Sequence, residues 1–175
     1  IILQRETGSA LVYLSFLLMF YREGMPGSVL FTGVAAVIYF VVGIRYEDML
    51  MFGSPTSVGK FVVLSLVQLF TAGMVYVYCR NKVGAWSIVG YAVLITGIGM
   101  LFSVYVIPFD VVWVQLVLCA VMIGWLLIQG LGTRLKQYFF IMLFSLGSMA
   151  FFYSADHVLN NVLEPHQRVR INVLL

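Results

Sequence analysis

Long apolar runs alternate with short polar stretches along this chain, at about 28–44, 61–79, 86–107, 111–131 and 138–153. A helix needs about 20 apolar residues to cross the hydrocarbon core of a bilayer. Residues 61–79 and 111–129 are apolar all round and contain no charged residue, whereas a helix lying on a water-facing surface shows a polar side. The pattern predicts an all-α fold, a polytopic transmembrane helical bundle. A shorter apolar run at 9–21 brings the expectation to about six membrane-crossing segments. Residues 1–175 then form one integral-membrane region, and 154–175 its external juxtamembrane tail.

The connections at 21–27, 45–60, 80–85, 108–110 and 132–137 are short, which makes consecutive helices antiparallel. One side then carries Arg22, Arg80, Lys82, Arg134 and Lys136 with a single acid, Glu23. The other carries Arg5, Arg45, Lys60, Arg168 and Arg170 with Glu6, Glu47, Asp48, Asp110, Asp156 and Glu164. The basic residues of the first side all lie in short loops, where they weigh most in orienting a membrane protein. The first side is therefore expected in the cytoplasm and the tail outside.

Composition agrees with the pattern. Hydrophobic residues make up 62% of the chain, charged residues 10%, and mean hydropathy is +1.04, far from the balance of a water-soluble domain. The net charge of +3 is spread over membrane-flanking positions and leaves no nucleic-acid footprint. Cys79 and Cys119 lack the paired spacing of a zinc site or disulfide framework. His157 and His166 have no companions at metal-ligand spacing, so no metal site is expected within these residues.

The segment Gly53-Ser54-Pro55-Thr56-Ser57-Val58-Gly59-Lys60 superficially suggests a phosphate loop. It has five residues between its glycines, and Phe61 stands where Ser or Thr would bind magnesium, so it reads as a turn-rich loop ending in an interfacial lysine. Gly99 and Ser103, with Gly90, Ala92 and Gly97 nearby, would let a second helix approach closely. No acid or base sits in the middle of a clear span, which argues against a proton-coupled pump or ion channel here.

Two polar clusters mark the edges. Gln4-Arg5-Glu6-Thr7-Gly8-Ser9 interrupts the first apolar residues, as a tight reversal at a membrane edge would. Glu164-Pro165-His166-Gln167-Arg168-Val169-Arg170 lies in the tail. Arginine stays charged and grips phosphate oxygens with two parallel hydrogen bonds, which suits an anionic lipid-linked substrate. A snorkelling anchor is the plainer explanation of the same residues.

Both clusters resemble motifs of the RodA/FtsW (SEDS) family of peptidoglycan glycosyltransferases, most closely RodA. Gln4-Arg5-Glu6-Thr7-Gly8-Ser9 is similar to the family's Gln-Pro-Asp-Leu-Gly-Thr before a membrane helix, with Arg5, Glu6 and Thr7 departing from it. Gln167-Arg168-Val169-Arg170-Ile171 follows the family's Gln-Arg-x-Arg-Val/Ile run, and Tyr21-Arg22-Glu23-Gly24-Met25-Pro26-Gly27 looks like a cytoplasmic turn of RodA proteins. About four additional helices separate the two main motifs here.

The resemblance implies polymerisation of lipid II into glycan strands outside the bacterial cytoplasmic membrane, assisted by a divalent metal ion, with a class B penicillin-binding protein as partner. It implies a structural motif of Gln4, Glu6 and Gly8, and substrate contacts at Arg168 and Arg170. The family's catalytic aspartate is expected beyond Leu175, so the chain reads as an internal fragment and no catalytic residue is assigned. Competing classes are a transporter or lipid flippase, and a non-catalytic membrane scaffold.

Overall fold

The computed structural model describes residues 15, 16, 19, 22–24, 27–46, 49–51 and 54–157. Five helices run through them: α1 (Gly27–Arg45), α2 (Val58–Tyr78), α3 (Lys82–Tyr105), α4 (Val112–Thr133) and α5 (Lys136–His157). No β-strand of a sheet occurs among the described residues; Leu50 and Ser57 form one isolated bridge. Of the first expected segment, at 9–21, only residues 15, 16 and 19 are described, and all three are helical.

Local chemistry sets the helix ends. Asn81 opens α3 by accepting a hydrogen bond from the Gly84 backbone N–H at 2.9 Å, which satisfies a donor that the first helical turn leaves without a partner. Pro108 lies just past the end of α3, where its ring disfavours helical geometry in the residue before it. The carboxylate of Asp110 accepts from Val112 N–H at 3.0 Å as α4 begins. Arg134 ends α4 with φ 55 in the left-handed region, the position that glycine occupies most cheaply.

By contacts the chain forms two units, Ile1–Val37 and Ile38–Leu175. In the first, Thr32 Oγ1 donates to Ser28 O at 2.8 Å within α1. The second is the helix bundle. Its centre is α2, whose Val63, Leu64, Val67 and Val75 are fully buried. Around them lie Cys119 and Leu126 of α4 and Ile141 of α5, also buried.

Contacts between helix ends establish an up-and-down order. At one end, Ser54 and Thr56, just before α2, bond to Ser103 near the close of α3 and to Val111 at the opening of α4. At the other, Asn81 before α3 donates to the Tyr138 hydroxyl at the start of α5, at 3.2 Å. There Gly130, late in α4, lies against Phe139 and Tyr138. Consecutive helices α2 to α5 therefore alternate in direction.

Each of α2, α3, α4 and α5 is long and apolar enough to cross a membrane, while the apolar part of α1, Gly27–Gly43, is shorter. The surface fits that reading: Val83, Trp113, Phe140 and Tyr105 are 78%, 70%, 69% and 81% exposed, which water would not tolerate over so large an area. On α3 the exposed aromatics Trp86 and Tyr105 are separated by a helical rise of about 28 Å. That is close to the ~30 Å of the hydrocarbon core, and such rings favour its two boundaries. The chain is a multi-pass α-helical membrane protein.

Candidate functional site

Two polar constellations occur within the bundle. The first ties down the loop before α2. Ser54 Oγ and Thr56 Oγ1 share a hydrogen bond of 2.8 Å, and Ser54 Oγ lies 2.9 Å from Ser103 Oγ. Ser103 Oγ donates to Phe109 O at 2.6 Å, and Val111 N–H donates to Thr56 Oγ1 at 2.9 Å. One proton per hydroxyl satisfies the chain if Thr56 donates to Ser54, Ser54 to Ser103 and Ser103 to the carbonyl. Ser54, Thr56 and Ser103 are all buried. The hydroxyls of Ser54 and Thr56 in this glycine-flanked segment are thus spent inside the protein, fastening the α3–α4 turn.

Gly99 and Ser103 serve the same packing. A Cβ at Gly99 would meet Val114 and Val111 at 3.6 to 3.7 Å, so this part of α3 lies directly on α4. The small-residue pair faces inward, while Gly90 and Gly97 face open space.

The second constellation is a seam of neutral polar side chains between α2 and α4. Gln115 Nε2 donates to Ser65 Oγ at 2.8 Å, and Ser65 in turn donates to Phe61 O at 2.9 Å. One turn further in, Gln68 Nε2 donates to Cys119 Sγ at 3.4 Å. Thr71 Oγ1 donates to Val67 O at 2.7 Å. Gln68, Thr71 and Gln115 are buried, as are Ser145 and Ser148 on α5. The oxygen Oε1 of Gln115 and the hydroxyl of Ser145 have no hydrogen-bond partner among the described residues.

Amides and hydroxyls in hydrocarbon hold helices together, each bond adding about 0.6–2 kcal/mol. They neither carry net charge nor titrate, so this seam can orient helices or coordinate a polar solute. Its amides and hydroxyls supply no acid or base, and it also holds the buried thiol of Cys119. The signal for it was present in the sequence as helical spacing: Ser65, Gln68 and Thr71 at intervals of three, and Gln115 and Cys119 at four, each set on one stripe of its helix.

A lateral cleft of about 320 Å³ opens between α3 and α4, with Gln68 of α2 at its base and Ile88, Tyr91, Leu118, Met122 and Trp125 among its walls. The residues singled out from the sequence, Gln4, Glu6, Gly8, Arg168 and Arg170, lie outside the described residues. Among the described residues no group of three His, Cys, Asp or Glu side chains is placed to hold a metal ion. No family model, curated protein or solved structure matches the chain.

Proposed function

We propose that this chain is part of a RodA-like glycosyltransferase that polymerises lipid II at the outer face of the bacterial cytoplasmic membrane, acting with a class B penicillin-binding protein. The observation that supports the reading is parity. Helices α2 to α5 alternate, so the entry to α2 and the exit from α5 lie at the same end of the bundle. An even number of added spans is what this reading requires, because it would return the chain to the face it left and so allow the Gln4 cluster and the Gln167-Arg168-Val169-Arg170 run a shared substrate.

On this reading Arg168 and Arg170 hold the pyrophosphate of the lipid-linked disaccharide through paired hydrogen bonds. Gln4, Glu6 and Gly8 shape the cavity edge. Among the described residues no group of side chains is placed to hold a divalent metal, and on this reading the reacting groups belong to the intact protein rather than to the bundle. A second reading, a transporter or flippase, draws support from the buried glutamine seam, since such proteins place polar groups near the bilayer midplane.

The test is glycan polymerisation from lipid II by the intact protein, with Arg168→Lys, Arg170→Lys and each alanine version at matched membrane abundance. Lysine keeps the charge but loses the bidentate fork. A substrate contact predicts a loss of roughly ten-fold or more for the lysine versions, since a hydrogen bond to a charged group contributes about 1.5–3 kcal/mol. Parental activity in all four variants would leave only a snorkelling anchor.

A further inference from the structure

The α3–α4 cleft is held open by the way the two helices touch. Near one end Gly84 lies against Trp125, where an added Cβ would come within 2.7 Å of the ring. Towards the other, Gly99 sits on Val114. Between these two contacts a cleft remains between the side chains of α3 and α4. It runs from Gly84 to Ile95 along α3, a rise of about 16 Å, close to half the ~30 Å hydrocarbon core. It has room for about ten groups of ~30 Å³ each. Its walls carry no charge, Ser87 has its hydroxyl bonded to Val83 O, and the opening passes the exposed Tyr91 and Val121. A single flexible hydrocarbon chain within one leaflet matches this shape.

The end of the bundle nearest the cleft is strongly basic. Arg80, Lys82, Arg134 and Lys136 are all exposed there, and no acidic residue occurs in 79–82 or 133–137. Among the described residues Arg80 and Arg134 are the non-glycine residues with positive φ, at 49 and 55. A side chain in left-handed backbone costs about 1–2 kcal/mol, which glycine would avoid. Arginine therefore stands twice at positions where folding alone favours glycine, beside the same apolar cleft. The Asn81–Tyr138 hydrogen bond and the edge-on Trp125–Tyr138 pair, 6.2 Å apart, connect these two loops to the cleft wall.

We propose that the α3–α4 cleft binds one phospholipid with an anionic headgroup, taken from the leaflet at the Arg80 end. One acyl chain lies along the cleft to the level of Ile95, and Arg80 and Arg134 receive a net negative headgroup, which phosphatidylcholine, whose cationic choline offsets its phosphate, does not offer. The apolar walls supply the site for the chain, and the arginines supply the preference for negative charge. The lipid binds in this way whatever reaction the intact protein performs.

Bromine on an acyl chain quenches tryptophan at contact distance, and Trp125 forms part of the wall. The intact protein is placed in phosphatidylcholine nanodiscs containing increasing brominated phosphatidylglycerol or brominated phosphatidylcholine. The Trp125 contribution is taken as the difference between parent and Trp125→Phe. Half-quenching is expected at a mole fraction of phosphatidylglycerol roughly ten-fold below that of phosphatidylcholine. Arg80→Gly with Arg134→Gly should erase that preference while raising thermal stability, and Ala92→Phe should fill the cleft and shield Trp125 from both lipids. Equal quenching by the two lipids would mean ordinary boundary lipid, and absence of quenching would mean that a protein segment occupies the cleft. Either result overturns the proposal, as does a headgroup preference that survives the double glycine variant.

Discussion

Thr56 makes three bonds that fasten its loop, two through its hydroxyl and one through its backbone carbonyl. Its hydroxyl accepts from Val111 N–H, bonds to Ser54, and sits in a residue whose carbonyl accepts from Met51 N–H at 3.1 Å. Valine has almost the same shape and no hydroxyl. Thr56→Val leaves the Val111 N–H, in a fully buried residue, without an acceptor, and an orphaned buried donor costs about 1–3 kcal/mol. Over 150–250 cooperatively unfolding residues that corresponds to a fall of roughly 2–12 °C in Tm. Thr56→Ser, which keeps the oxygen, should melt close to the parent. Thermal unfolding in detergent reads both; a valine variant as stable as the parent would show that the α3–α4 turn does not depend on this hydroxyl.

At the scale of elements, hydrophobic runs located every described helix because a span in lipid must be apolar over most of its length. The runs at 61–79 and 111–131 correspond to α2 and α4 within a few residues. The largest shift at a helix start is at α3, expected from 86 and found from Lys82. Asn81 accounts for it, since its cap brings a lysine, a valine and a glycine into the first turn. The seam between α2 and α4 was not legible in the same way. A single glutamine in an apolar run shows neither its partner nor its depth, and Gln115 and Ser65 meet only because α2 and α4 pack side by side. Gln115 also separates glue from pathway. Leu in its place loses one hydrogen bond to Ser65 but also removes a buried oxygen that lacks a donor, and these effects oppose each other. Gln115→Leu should therefore change stability by no more than about 1 kcal/mol. If the protein has the proposed activity, this change should leave lipid II polymerisation within about two-fold of the parent, whereas a solute pathway through the seam predicts loss of function without loss of fold. Paired measurements of Tm and activity distinguish the two.

At the scale of the whole molecule, the alternation of α2 to α5 makes orientation an all-or-none property: fixing the side of one loop fixes the others in the bundle. The basic loops containing Arg80, Lys82, Arg134 and Lys136 are expected in the cytoplasm by the positive-inside bias. Arg45, exposed at the end of α1, is then expected outside, on the side the sequence predicts for Arg168. Cysteine labelling tests this, but Cys79 stands three residues before Lys82. Burial pushes the Cys79 thiol above its ordinary pKa, partly offset by a hydrogen bond to Tyr138. Its thiolate is therefore scarce near neutral pH and grows as pH rises, so the background would increase with the pH of the labelling buffer. Cys79→Ser removes it. In that background, with an impermeant maleimide on intact cells, Arg45→Cys and Arg168→Cys should react, and Lys82→Cys should react only after the membrane is permeabilised. Reaction at position 82 with protection at 45 and 168 would invert the bundle, and would carry the proposed substrate arginines to the face opposite the one where glycan strands are polymerised. Reaction at 45 but not at 168 would break the parity on which the proposed function rests while leaving the bundle itself intact.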